Sequence, residues 1–119
     1  MHHWKEQFSR MEQLITEIVD QEGINPSHKG FRYIHQAVRI ILMEKDRLDA
    51  LTKEVYGPIA EENHTSIACV ERAIRFAIRS GVDADKRGES LMDTPSNKVF
   101  IARLVHKTQR QEQFQQLLQ

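Results

Sequence analysis

Apolar residues along this chain recur every three or four positions, and no stretch alternates in the manner of a half-buried strand. From Trp4 onward they fall at Phe8, Met11, Leu14, Ile15, Ile18 and Val19, which predicts an amphipathic helix ending near Gly23. Asn25 before Pro26 supplies an N-cap and then the residue favoured at the first helical position. A second helix is expected to open there, with Phe31, Ile34, Ala37, Val38, Ile41 and Leu42 as its buried stripe. Leu48, Leu51, Val55, Tyr56, Ile59 and Ala60 keep the helical period, but Gly57 and Pro58 interrupt it, so residues 46–62 are expected as short helices or a kinked one.

The polar run Asn63, His64, Thr65 and Ser66 reads as a turn carrying cap residues, and a helix from about Ile67 to Ser80 follows until Gly81 stops it. That helix would bury Val70, Ala73, Ile74, Ala77 and Ile78. Residues 81–93 hold Lys86, Arg87 and Glu89 among Gly and Asp, and read as an exposed loop. Thr94 before Pro95 restarts a helix with Phe100, Ile101, Leu104 and Val105 on one face. It runs into a Gln-rich tail, residues 111–119, expected to fray although Phe114, Leu117 and Leu118 extend the stripe. The expected fold is all-α, a compact bundle of five or six helices with a helix-turn-helix at residues 51–80 and an N-terminal helix within residues 1–23. The 119 residues suit a single domain.

Composition narrows the class. Hydrophobic residues at 39% are too many for a disordered chain, and the longest apolar run, Ile40 to Met43, is far too short to span a membrane. Cys69 has no second cysteine to pair with and the N-terminus lacks an apolar leader core, so the chain reads as cytoplasmic. None of the six histidines sits in an HxxxH or HExxH arrangement, and the adjacent His2 and His3 read as solvated terminal residues. No glycine-rich phosphate loop and no supported nucleophile triad is present, so neither an enzyme nor a metal or other cofactor is expected.

Net charge is neutral, with 17 basic and 17 acidic residues, so its distribution carries the information. Lys5 and Arg10 are outnumbered by Glu6, Glu12, Glu17, Asp20 and Glu22 in the opening segment. Residues 98–110 carry Lys98, Arg103, Lys107 and Arg110 without an acid. Residues 66–80 carry Arg72, Arg75 and Arg79 against Glu71. Ala68, Arg72, Arg75 and Arg79 are spaced four, three and four apart and therefore share a helix face. Guanidinium groups on the second helix of a helix-turn-helix reach phosphates and the O6 and N7 of guanine in a major groove. A solvated surface with an ordinary Glu71 to Arg75 pair fits the same spacing.

Four blocks, GINPSHKGFRYIHQAV, LTKEVYGPIAEEN, VERAIRFAI and TPSNKVFIA, resemble in order and spacing the C-terminal effector domain of the stage zero sporulation response regulators of endospore-forming bacteria. The resemblance runs from about Met11 to Arg110. It implies a six-helix domain that binds a short box in double-stranded DNA, with VERAIRFAI in the recognition helix. Glu71 and Arg72 then match the DNA-reading face, and Arg75 a basic position one turn on. The family carries Ser-Arg just before VER, the arginine reading a base, where this chain has Ala68 and Cys69. Family proteins also carry a phosphorylatable receiver domain ahead of this one, and Met1 to Gly23 holds only a helix, which fits either an excised domain or a stand-alone relative, the tidy amphipathic helix from Trp4 favouring the second.

The expected activity is sequence-specific transcription regulation. Arg72 and Arg75 would be the main readers, with Glu71 accepting from cytosine N4, Arg79 and the pair Ala68 and Cys69 on the same surface, and Lys98, Arg103 and Lys107 on phosphate. A homodimer or tandem arrangement on DNA is compatible with this reading. The competing reading is a protein-interaction module that kept the fold, lost the DNA code and binds a regulator of the same pathway. Ala68, Cys69 and the zero net charge favour it.

Overall fold

The structure, a computed structural model, describes residues 3–85 and 94–118. Five α-helices and no strand are found among them: α1 (His3–Gln21), α2 (Lys29–Met43), α3 (Gly57–Glu62), α4 (Ile67–Asp85) and α5 (Asn97–Leu117). The all-α expectation holds. A 3-10 segment (Lys45–Ala50) and a single π-helical turn (Leu51–Tyr56) lead into α3, so residues 45–62 are a chain of short helical pieces. Pro58 sits in the first turn of α3, where its missing N–H breaks no hydrogen bond. No helix among the described residues is long and apolar enough to cross a membrane.

One core joins all five α-helices. α1 contributes Ile15 and Val19, α2 Ile34, Val38 and Ile41, the π turn Val55, α3 Ile59, α4 Ile74 and Ile78, and α5 Ile101 and Leu104. These are the positions marked by the 3.6-residue period. Phe31, expected in the core, is half-buried against it, and Phe8 on the apolar period of α1 is exposed. Truncating Ile74 to alanine is expected to cost about 2 to 5 kcal/mol, because its side chain is fully enclosed and leaves a cavity. A urea midpoint unchanged by Ile74→Ala would contradict this packing.

Several boundaries differ from the sequence expectation for identifiable reasons. Asn25 does not cap α2. Its Oδ1 accepts from Ser27 N at 2.9 Å, closing a local turn, and α2 begins at Lys29 after His28, which offers no side-chain cap. Gly81 does not end α4 but lies inside it, because the backbone of the connection after α1 passes close by. A Cβ at Gly81 would meet the carbonyl oxygen of Gly23 at 3.1 Å. Gly23 itself turns the chain with φ 83. The cap of α5 is Ser96 rather than Thr94, its Oγ accepting from Val99 N at 3.2 Å. Of the expected loop, residues 81–85 are helical and residues 86–93 lie outside the described residues. The Gln-rich tail continues α5 as far as Leu117.

Two polar ties fix the helices in register. Glu12 of α1 receives Arg39 Nη1 at 3.0 Å and lies 3.1 Å from His35 Nε2, both on α2. Gln36, buried on α2, accepts from Asn63 Nδ2 at 2.9 Å, while the same amide reaches Ile59 O at 2.7 Å. Asn63 therefore closes α3 and anchors the following turn to α2.

Candidate nucleic-acid interface

The turn between α3 and α4 is built as its polar sequence requires. Thr65 N donates to Ala60 O at 2.9 Å, and His64 adopts the left-handed region with φ 55, a conformation histidine enters more readily than branched residues do. Ser66 then caps α4, its Oγ accepting from Cys69 N at 3.1 Å. Val70, Ile74, Ala77, Ile78 and Gly81 face the core and hold α4 against the bundle.

The opposite face of α4 is where the arginine stripe emerges. Ala68, Arg72, Arg75 and Arg79 are all exposed, as their common spacing requires. Among the described residues Arg72 reaches only the carbonyl of Ala68, at 3.4 Å. Arg75 donates to the Glu71 carboxylate one turn back. Glu71 is half-buried on the flank toward α5, where Asn97 Nδ2 donates to its backbone carbonyl at 3.2 Å. Cys69 and Phe76, seven residues apart, occupy the other flank. Phe76 is 60% exposed and packs against His28, the ring centres 5.2 Å apart and the planes tilted by 49°.

The three cations expected on phosphate are not gathered into one patch. Lys98 and Lys107 lie nine residues apart, about two and a half turns, and so leave α5 on opposite flanks. Lys98 stands beside Arg75 and Arg79, with Asp49 at 4.0 Å. Lys107 instead pairs with Glu22 at the end of α1, away from the α4 stripe. Arg103 is exposed and, one turn before Lys107, shares its flank. A basic run without acids thus divided once it was wound into a helix, Lys98 on one flank and Arg103 with Lys107 on the other.

Cys69 is exposed and its thiol is held below its ordinary range. Hydrogen bonds from the side chains of Ser66 and Thr65 lead, and the Arg72 charge adds a smaller push in the same direction. Alkylation by iodoacetamide near neutral pH is therefore expected to be faster than for a free cysteine and slower in Ser66→Ala. Equal rates in the two proteins would remove Ser66 as the cause.

Residues the periodicity did not mark as functional also border the stripe. Tyr56, Thr94 and Asn97 converge with Arg75, Arg79 and Lys98 between the π turn, α4 and the start of α5. Tyr56 is buried, which pushes its phenol above the ordinary value, with the Asn97 side chain beside it opposing the shift. Tyr56 and Asn97 stand inside two of the blocks quoted above, but their meeting is a product of the fold.

The short α3, a polar turn and α4 follow one another, and α4 turns an arginine stripe to solvent. The family model described as sporulation initiation factor Spo0A C terminal matches residues 15–111. The match covers most of the 119-residue chain and all of the turn, α4 stripe and α5 start. The chain belongs to the Spo0A C-terminal family, a family of DNA-binding effector domains of sporulation transcription regulators.

Proposed function

We propose that this protein is a sequence-specific DNA-binding transcription regulator that lays α4, residues 67–80 above all, in the major groove. The exposed stripe of Arg72, Arg75 and Arg79 on the face of α4 opposite the core is the observation that carries this reading. Arg72, whose side chain reaches a carbonyl of its own helix and no other element among the described residues, is the principal base reader. Arg75 is the second, held in place by Glu71, whose free lone pairs accept from a cytosine amine. Lys98 supplies a phosphate contact beside the stripe, whereas Arg103 and Lys107 leave α5 on its other flank, with Lys107 paired to Glu22, and take no part in this docking. A tandem or two-fold arrangement of protomers on DNA is compatible with this docking.

Fluorescence anisotropy with a family-type box and a scrambled duplex, each at two salt concentrations, tests the reading. Tighter binding to the box supports it, and no binding to either duplex above a few tens of micromolar at physiological salt rejects it. Cys69→Arg, which restores the family's arginine, is expected to widen the gap between box and scrambled DNA. A second reading, a protein-interaction module of the sporulation pathway, draws on the exposed Ala68 and Cys69 in the reading positions, since neither offers a bidentate fork to guanine.

A further inference from the structure

α1 and α5 lie side by side and antiparallel. Glu22 beyond the end of α1 pairs with Lys107 in the middle of α5, and Gln7 near the start of α1 shares a hollow with Gln116 near the end of α5. On the flank that carries Lys107 their seam opens into a groove of about 540 Å³. Leu14 and Ile18, both nearly buried, form its floor. Glu17 stands on the α1 wall, and Arg110 and Phe114, one turn apart, stand on the α5 wall. Lys107 is engaged by Glu22, but neither Glu17 nor Arg110 has an ion-pair partner among the described residues.

The α5 side of this seam is apolar and bare. Phe114 is 56% exposed, and Leu118, one turn on and therefore on the same flank, is 72% exposed. With the neighbouring Leu117 they leave an apolar patch on the order of 400 Å², a size that marks an interaction surface. Leu14 and Phe114 both lie outside residues 15–111, so the apolar part of the seam is a feature of this chain beyond the family match.

We propose that the α1–α5 seam is a dimer interface, joining two copies of the chain about a two-fold axis parallel to these helices. Rotation about such an axis keeps every residue at its own height and sets α1 of one copy against α5 of the other. Glu17 and Arg110 line one short groove and so stand at about the same height, which places each Glu17 opposite the other copy's Arg110, twice in the interface. A two-fold across the helices would set the acidic wall against itself, so charge selects the first arrangement. The same rotation lays Phe114 of each copy over the Leu14 and Ile18 floor of the other. The product is a four-helix arrangement with antiparallel neighbours throughout. A face two helices wide and three to four turns long measures about 20 Å each way and buries about 1,000 Å² in total, the threshold of a specific interface. A reversible dimer therefore fits better than an obligate one. The inference does not rest on the DNA-binding reading, and the seam leaves the arginine stripe of α4 uncovered.

The test is sedimentation of the whole chain, without DNA, from low micromolar to submillimolar concentration. The mass is expected to rise from 13.9 kDa toward twice that value. Phe114→Asp should weaken association about tenfold or more, whereas Phe76→Asp, at a similarly bare position on α4, should leave it as it was. Glu17→Arg and Arg110→Glu should each weaken self-association about tenfold, because each then opposes like charges twice. Mixed in equal amounts, these two variants should associate as the parent does, since their heterodimer restores both pairs. Damage confined to the fold of one chain could not be repaired by mixing. All four positions are exposed, and unchanged far-UV spectra would confirm that the variants fold. A chain that stays monomeric throughout overturns the proposal, as does a dimer indifferent to Phe114→Asp or a mixture no more associated than its components. With no DNA present, these outcomes are independent of the anisotropy test of the DNA-binding reading.

Discussion

Gly30→Ala is expected to destabilise the protein by about 2 kcal/mol or more, although alanine is the better helix former. A Cβ at Gly30 would lie 2.3 Å from the carbonyl oxygen of Ala73 and 2.6 Å from the Cβ of Ala77, both on α4. The first of these is backbone and cannot rotate away. Relief requires α2 and α4 to separate, which loosens the contacts of Ile34, Ile74 and Ile78 at one stroke. Removing a helical glycine returns only about 0.5 to 1 kcal/mol, so the clash wins. Because α4 carries the arginine stripe, DNA affinity should fall together with the urea midpoint. Stability within about 0.5 kcal/mol of the parent would mean that α2 and α4 do not approach at Gly30, since that is the scatter of ordinary surface substitutions.

Arg72→Ala is expected to shrink the discrimination between the box and scrambled DNA by about 1 to 3 kcal/mol, a factor of roughly 5 to 160, the contribution of one bidentate contact to a base pair. The side chain is exposed and bridges no other element, so folding should be untouched. Lys98→Ala acts through charge instead. It should lower both affinities together and reduce the salt slope by about one unit. Lys107→Ala should do neither, since its ammonium is engaged by Glu22 on the far flank of α5. Anisotropy titrations of the three variants at two salt concentrations separate these outcomes. Equal loss of discrimination from Arg72→Ala and Lys107→Ala would place DNA on a different face of the protein.

The sequence by itself determined the helical class, most of the core and the face on which the arginines emerge. All three follow from spacing along a single helix, and a 3.6-residue period is local information. Ala68, Arg72, Arg75 and Arg79 had to share a face once α4 formed, and Ile74 and Ile78 had to oppose them. The family was legible too, because its blocks are read residue by residue. Caps and breaks were less so. Asn25 could cap a helix or close its own turn, and Gly81 could end a helix or admit a neighbouring backbone, and neither choice is made by residues adjacent in sequence.

Only the tertiary structure decided which groups on different elements meet. It set Gly30 against Ala73, drew Lys107 to Glu22, and parted Lys107 from Lys98 although both lie in one basic run. It also brought Tyr56, Arg79 and the first turn of α5 around one concavity. These meetings depend on how the helices cross, which is set by the summed packing of every buried side chain and the close approach at one glycine. A period along one helix carries no information about the angle at which it meets the next.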